Sequence, residues 1–224
     1  MKILAVDTAT EAFSVALCID DEIHQTFALA PREHAARLLP TVDQVLAEGG
    51  LRLADLDLLA VTRGPGSFTG VRIGIAAVQG LALGSGLPVA PVSTLQTLAL
   101  GCARRGAKGS VLALLDARMD QVYTAGYRFD DPPMCGAAVD EERVVDPEKL
   151  TLAAGDWTLA GAGVAAYQER ILNALQEQPG VRVAALDPDA YPEARDAATI
   201  AAASSLALKP EEIEPAYLRA AVQR

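Results

Sequence analysis

The stretch Thr62-Arg63-Gly64-Pro65-Gly66-Ser67-Phe68-Thr69-Gly70-Val71-Arg72-Ile73-Gly74 holds the residues of this chain whose types and spacing point most specifically to chemistry. Gly64 and Gly66 permit backbone angles closed to other residues, Pro65 stiffens the turn, and Ser67 or Thr69 is placed to cap a following helix. Amides at such a helix start point outward without an intrahelical partner, and the helix dipole adds positive potential. The turn therefore suits a phosphate or a carboxylate, with Gly64, Gly66 and Ser67 as candidate anion-binding positions.

Better-known loops of this kind are excluded by spacing. No Gly-Lys-Ser/Thr follows 64–70, which removes a Walker A loop. A dinucleotide loop asks for glycine at position 69 and an acid about twenty residues on, but Thr69 stands in the first place and no acid in the second. A nucleophile elbow around Ser67 needs glycines where Pro65 and Thr69 stand, and both histidines, His24 and His34, precede it. A triad built from spatial neighbours leaves a peptidase as a distant alternative. Cys18, Cys102 and Cys135 are isolated, odd in number and without paired histidines, so neither a disulfide framework nor a zinc site is legible.

Charge is segregated along the chain. Positions 58–115 contain no Asp or Glu, while Arg63, Arg72, Arg104, Arg105 and Lys108 give that window +5; the whole chain carries −10, leaving −15 for the remainder. Such a chain is a poor nonspecific binder of nucleic acid, yet one basic face suits an anionic ligand or an acidic partner. Burial offers another account, because core elements are poor in charge in any case.

The elements that must position these residues follow from periodicity. Its 224 residues suffice for one large domain or two small ones with a real core. Strands are predicted at 2–6, 13–19 and 23–28, then a helix in which Leu38, Leu39, Val42, Val45 and Leu46 recur at helical spacing, with Pro40 expected to start or kink it and Gly49-Gly50 to stop it. A strand at 56–61, the glycine turn, a helix at 68–83, a strand at 87–92 and a short helix at 93–102 follow, with 104–109 as a linker. The apolar start is too short for a signal sequence, and the 68–83 helix is interrupted for membrane purposes by Arg72, Gln79 and several glycines, so a cytoplasmic protein without a membrane span is expected.

The second half repeats the plan. A strand at 111–115 ends at Asp116 as the first strand ends at Asp7, a strand at 121–129 runs into Asp130-Asp131-Pro132-Pro133, and Thr158-Leu159-Ala160-Gly161-Ala162-Gly163 leads into a helix at 164–178. Two such halves predict related α/β lobes divided at 105/106, with strand-end aspartates facing a cleft. Ordinary α/β alternation gives a similar pattern.

Asp7-Thr8-Ala9-Thr10, the glycine turn, Asp116-Ala117-Arg118 with Val122-Tyr123, and Pro215-Ala216-Tyr217-Leu218-Arg219 together resemble the TsaB (YeaZ) family of bacterial tRNA threonylcarbamoyladenosine biosynthesis proteins, over the full length of the chain. The resemblance implies an actin-like, sugar-kinase and Hsp70 ATPase (ribonuclease H-like) fold, with two pseudo-twofold-related lobes, each a mixed sheet flanked by helices. It also implies a non-catalytic accessory of the paralogue TsaD, which transfers a threonylcarbamoyl group from threonylcarbamoyl-AMP to N6 of the adenosine beside the anticodon. The ATPase TsaE is the usual third protein, tRNA is reached only through the complex, and no cofactor is implied for the accessory itself. The rival reading within this fold is an ATP-dependent phosphotransferase.

Departures from the fold's usual residues bear on these expectations. The paralogue's metal site needs two histidines one helical turn apart, but Leu38 stands four residues after His34, so no metal is expected. Asp7 and Asp116 occupy the places of phosphate-loop acids that hold Mg²⁺ through water, while Ala9 replaces a glycine and Arg118 adds bulk. That suggests a degenerate nucleotide or anion site of Asp7, Thr8, Gly64, Gly66, Ser67, Asp116 and Arg118, with turn bracing by the two aspartates as the alternative. No catalytic residue is expected.

The 68–83 helix is apolar on two sides. Val71, Ile75, Val78 and Ala82 suit a sheet, while Gly70, Gly74, Ala77 and Leu81 form a second face whose small residues permit a close helix crossing. In the family this helix and the preceding one pack on the matching pair of the paralogue, or on a second copy when the paralogue is absent. The resemblance therefore implies a partner surface of His34, Leu38 and Val42 with Gly70, Gly74, Ala77 and Leu81; burial within the lobe is the alternative. Glu214-Pro215 prevents simple helix continuation, leaving the final segment to dock on a lobe.

Overall fold

Strand and helix alternate along the chain as β1 (Lys2–Asp7), β2 (Ala12–Ile19), β3 (Glu22–Leu29), α1 (His34–Glu48), β4 (Leu58–Thr62), α2 (Phe68–Ser85), β5 (Val89–Val92) and α3 (Thr94–Arg104). There follow β6 (Ser110–Arg118), β7 (Gln121–Arg128), the short β8 (Ala137–Ala138) and β9 (Arg143–Val145), β10 (Gly155–Ala160), α4 (Ala162–Gln176), β11 (Val181–Asp187) and α5 (Ala194–Ala203). This computed structural model describes residues 1–20, 22–129 and 136–218. Asp21, the 130–133 turn, Cys135 and Arg219 lie outside the described residues.

In the first sheet the order is β3-β2-β1-β4-β5, with β1 to β3 antiparallel and β4 and β5 parallel to β1. β4 reads Leu-Leu-Ala-Val-Thr without alternation and is buried throughout, as a parallel strand covered on both faces must be. On one face Leu4, Val6, Phe13, Val15, Leu17, Leu59 and Val61 pack with the apolar stripes of α1 and α2. The other face is covered from α5, whose Ala194 N donates to Ser14 Oγ at 2.8 Å. Pro40 sits inside α1, on its exposed side, instead of starting it.

The second sheet has the order β11-β10-β6-β7-β8, with β9 also on β7. β6 and β7 form an antiparallel hairpin, and β10 runs parallel to both β6 and β11. Each sheet thus has a hairpin whose first strand takes two parallel strands on its free side, the plan of an actin-like α/β fold. The chain divides into Met1–Thr97 with Pro192–Ala216, and a second unit holding Leu98–Tyr191. The division falls inside α3, before the 104–109 segment, because Leu98 already packs beside Gly161 of the second unit.

The returning segment straps the first unit. Val89 and Leu208 exchange backbone hydrogen bonds of 2.9 and 2.8 Å at the β5 edge, and Gln79 Nε2 donates to the carbonyls of Pro210 and Ile213 at 2.8 and 3.3 Å. Ile213 is buried in the same core as α2, and Ala216 N donates to Arg63 O at 2.8 Å.

Candidate functional site

The end of β1 and the start of α2 are built against each other. Asp7 has no exposed surface; its Oδ1 accepts from Thr62 Oγ1 at 2.6 Å, and its buried Oδ2 has no partner among the described residues. Burial pushes its carboxyl up to about 7, against the opposing hydrogen bonds from Thr62 and the Ala9 backbone. Thr8, equally buried, donates from Oγ1 to Gly70 O at 2.8 Å, and Ser67 N donates to Ala9 O at 2.7 Å.

The glycines are required by this contact. A Cβ at Gly66 would overlap Ala9 O, one at Gly70 would overlap Thr8 O, and one at Gly74 would lie 2.5 Å from Thr8 Oγ1. Gly64, joined to Pro65 by a cis peptide, has φ 103° and lies under Ala216. Ser67 is the helix cap, accepting from Gly70 N at 3.2 Å. The polar groups that looked available for an anion are thus largely turned inward: Asp7 toward Thr62, Thr8 toward Gly70, Ser67 toward its own helix. A water-mediated Mg²⁺ does not fit an Asp7 with no surface.

The matching turn of the second unit is closed differently. Asp116 Oδ1 accepts from Arg118 N at 2.8 Å and from Tyr167 Oη at 3.1 Å, while Oδ2 pairs with Arg118 Nη1 at 3.0 Å. Tyr167 reaches Asp116 at a break in α4, where its φ and ψ are −136° and 25°. Burial first, and the Asp116 charge second, raise the Tyr167 hydroxyl above its usual range. Asp116 is thus engaged by Arg118 and Tyr167.

Most of the residues expected on a partner surface are interior. His34, Leu38, Val42, Gly70 and Gly74 are buried within the first unit, and Ala77 and Leu81 are half-buried against its core. The reason is geometric: Gly70 and Gly74 face the Thr8 turn, and His34 pins α1 to β2, its Nε2 lying 3.1 Å from Ala12 O. His24, the other histidine, stands 3.2 Å from Glu22 on the edge strand.

A family model described as tRNA N6-adenosine threonylcarbamoyltransferase (TsaD) matches residues 22–221. The tRNA threonylcarbamoyladenosine biosynthesis protein TsaB of Escherichia coli (strain K12) is 42% identical over 98% of this chain and 95% of its own. The chain belongs to the TsaB (YeaZ) family. Its TsaB relative in Bacillus subtilis (strain 168) is 34% identical over 70% of this chain and 64% of its own. The solved structure of YeaZ from Pseudomonas aeruginosa has a TM-score of 0.88 at 39% identity, covering 97% of this chain and 99% of that one.

In this TsaB-family chain α2 presents a third face that the sequence left unmarked. Thr69, Ala76, Gly80, Leu83 and Gly84 are exposed along one stripe, and Cβ positions at Gly80 and Gly84 meet nothing within 4 Å. Phe68 is 71% exposed, Leu83 70%, and Leu39 on neighbouring α1 52%. Arg72 stacks its guanidinium 3.4 Å from the Phe68 ring centroid and donates to Phe68 O at 3.1 Å, which holds the ring in place. By length and composition α2 also qualifies as a membrane span, but its Val71, Ile75, Val78 and Ala82 are buried against its own sheet. Apolar periodicity marks the sheet-facing stripe; which of the other two faces meets solvent depends on Thr8 and on the strap.

Proposed function

We propose that the chain is a non-catalytic accessory subunit in forming threonylcarbamoyladenosine in tRNA, and that it docks on the threonylcarbamoyltransferase TsaD through the outward face of α2 with the adjoining side of α1. The names of its relatives supply the pathway. The docking surface rests on one observation: Phe68, Leu83 and Leu39 are exposed beside an open small-residue ridge at Ala76, Gly80 and Gly84. A helix apolar on its outer side is best satisfied by another helix, and small residues let the two approach closely. The non-catalytic role is supported by Asp7, Thr8 and Asp116, whose polar groups are held by Thr62, Gly70, Arg118 and Tyr167.

In this account TsaD carries out the transfer in the cytoplasm, TsaE is the third subunit, and tRNA is met only through the complex. Without TsaD the same face pairs two copies of the chain. Size-exclusion chromatography with light scattering, on the purified chain mixed with TsaD from the same genome, tests the reading. The wild type is expected to co-elute with TsaD; Leu83→Lys, at an exposed position, is expected to lose co-elution while keeping its melting temperature. Undiminished co-elution of Leu83→Lys together with Phe68→Ala would remove this surface from the account.

A further inference from the structure

The geometry points to Thr8 as the positioning residue for the docking helix: through its hydroxyl and its carbonyl, a side chain with no exposed surface sets where α2 presents its outward face. The inference rests on the docking surface proposed above, but its structural half can be tested without any partner.

Four contacts tie the β1 end to α2, and three of them are made by Thr8. Its Oγ1 donates to Gly70 O at 2.8 Å, its carbonyl leaves no room for a Cβ at Gly70, and its Oγ1 lies 2.5 Å from the place of a Cβ at Gly74. The fourth runs from Ser67 N to Ala9 O at 2.7 Å. Gly70 and Gly74 are one helical turn apart and Gly66 lies just before the Ser67 cap, so the turn 8–9 lies along the start of α2. Phe68 and Arg72, the stacked pair that opens the outward face, belong to those same turns of helix.

The Gly70 carbonyl is engaged from outside the helix by Thr8. Replacing that hydroxyl by a methyl puts carbon against the carbonyl at 2.8 Å, well inside an ordinary carbon–oxygen contact, so α2 must move outward or the turn must open. Serine keeps the donor and loses only the methyl. Thr8→Val, Thr8→Ala and Thr8→Ser therefore separate the hydroxyl's role from simple volume, and Thr8→Ala serves if the valine variant does not fold.

Two readouts on the full chain decide the matter. Amide hydrogen exchange reports the helix itself: Thr8→Val and Thr8→Ala are expected to speed exchange of amides in 70–75 about tenfold, with Thr8→Ser close to wild type and amides of α4 unchanged. Co-elution with TsaD reports the presented face: binding is expected to weaken in the valine and alanine variants and to return in the serine variant, although position 8 contributes no surface. Unchanged exchange in 70–75 for both variants would overturn the inference. So would faster exchange with unaltered TsaD binding, in a preparation where Phe68→Ala does abolish binding. If Phe68→Ala and Leu83→Lys also leave binding intact, the docking surface itself has failed, and the exchange result alone decides whether Thr8 positions the helix.

Discussion

Thr62 Oγ1 donates to Asp7 Oδ1 at 2.6 Å across the β1–β4 pair, while the buried Asp7 Oδ2 has no partner among the described residues. A half-satisfied carboxyl in a dry interior favours its proton. Burial carries its folded value to about 7 from an ordinary 3.8, so the folded chain holds this proton more tightly than the unfolded chain does. The stabilising effect is fully present below the unfolded value and is lost as pH rises from about 4 through about 7, up to roughly 4 kcal/mol for a shift of this size. Denaturant unfolding of the wild type should thus show declining stability across that window, and Asp7→Asn should flatten the decline. Parallel pH curves for the two proteins would contradict the assignment.

Gly74 and Gly80 are expected to respond oppositely to added side chains. Gly74→Leu drives carbon into Thr8 Oγ1 and should destabilise by about 1–3 kcal/mol or more, which makes it a fold variant and a poor probe of association. Gly80 has open space at its Cβ, so Gly80→Ala should be neutral or stabilise by up to about 1 kcal/mol. Thermal melts of the two variants check the contrast.

The strap is expected to be part of the first unit's stability. Ile213 is buried beside α2, and Ile213→Ala should cost roughly 2–4 kcal/mol, read as a fall in the denaturant midpoint at unchanged slope. Gln79→Ala, which frees the carbonyls of Pro210 and Ile213 near the surface, should cost only about 1 kcal/mol.

Much of the architecture was legible in the residues, because β1, β2, β4 and α2 carry strong apolar patterns bounded by turn residues. β11 was not, since its register against Trp157 and Thr158 of β10 skips Ala184 and so breaks its alternation. α5 is not legible because its alanine-rich segment has few large apolar residues, with an aspartate, Asp196, among its buried positions and only Arg195 and Thr199 polar on the other side.

The site is legible in the sequence as a motif, while its role stays open between an anion site and a structural turn. Glycines at 66, 70 and 74 are as consistent with a phosphate cradle or a partner helix as with a close internal crossing, and only the positions of Thr8 and Ala9 decide between them. The outward stripe of Ala76, Gly80 and Leu83 escaped notice for the same reason: periodicity counts faces without saying which one the rest of the chain covers.

Mass spectrometry of tRNA nucleosides, after depletion of the protein and re-expression of variants, tests most directly whether the chain serves threonylcarbamoyladenosine formation through its α2 surface. Depletion should lower threonylcarbamoyladenosine sharply, the wild type should restore it, and a folded Phe68→Ala/Leu83→Lys double variant should not. Unchanged threonylcarbamoyladenosine after depletion, or full restoration by the double variant, would contradict the account.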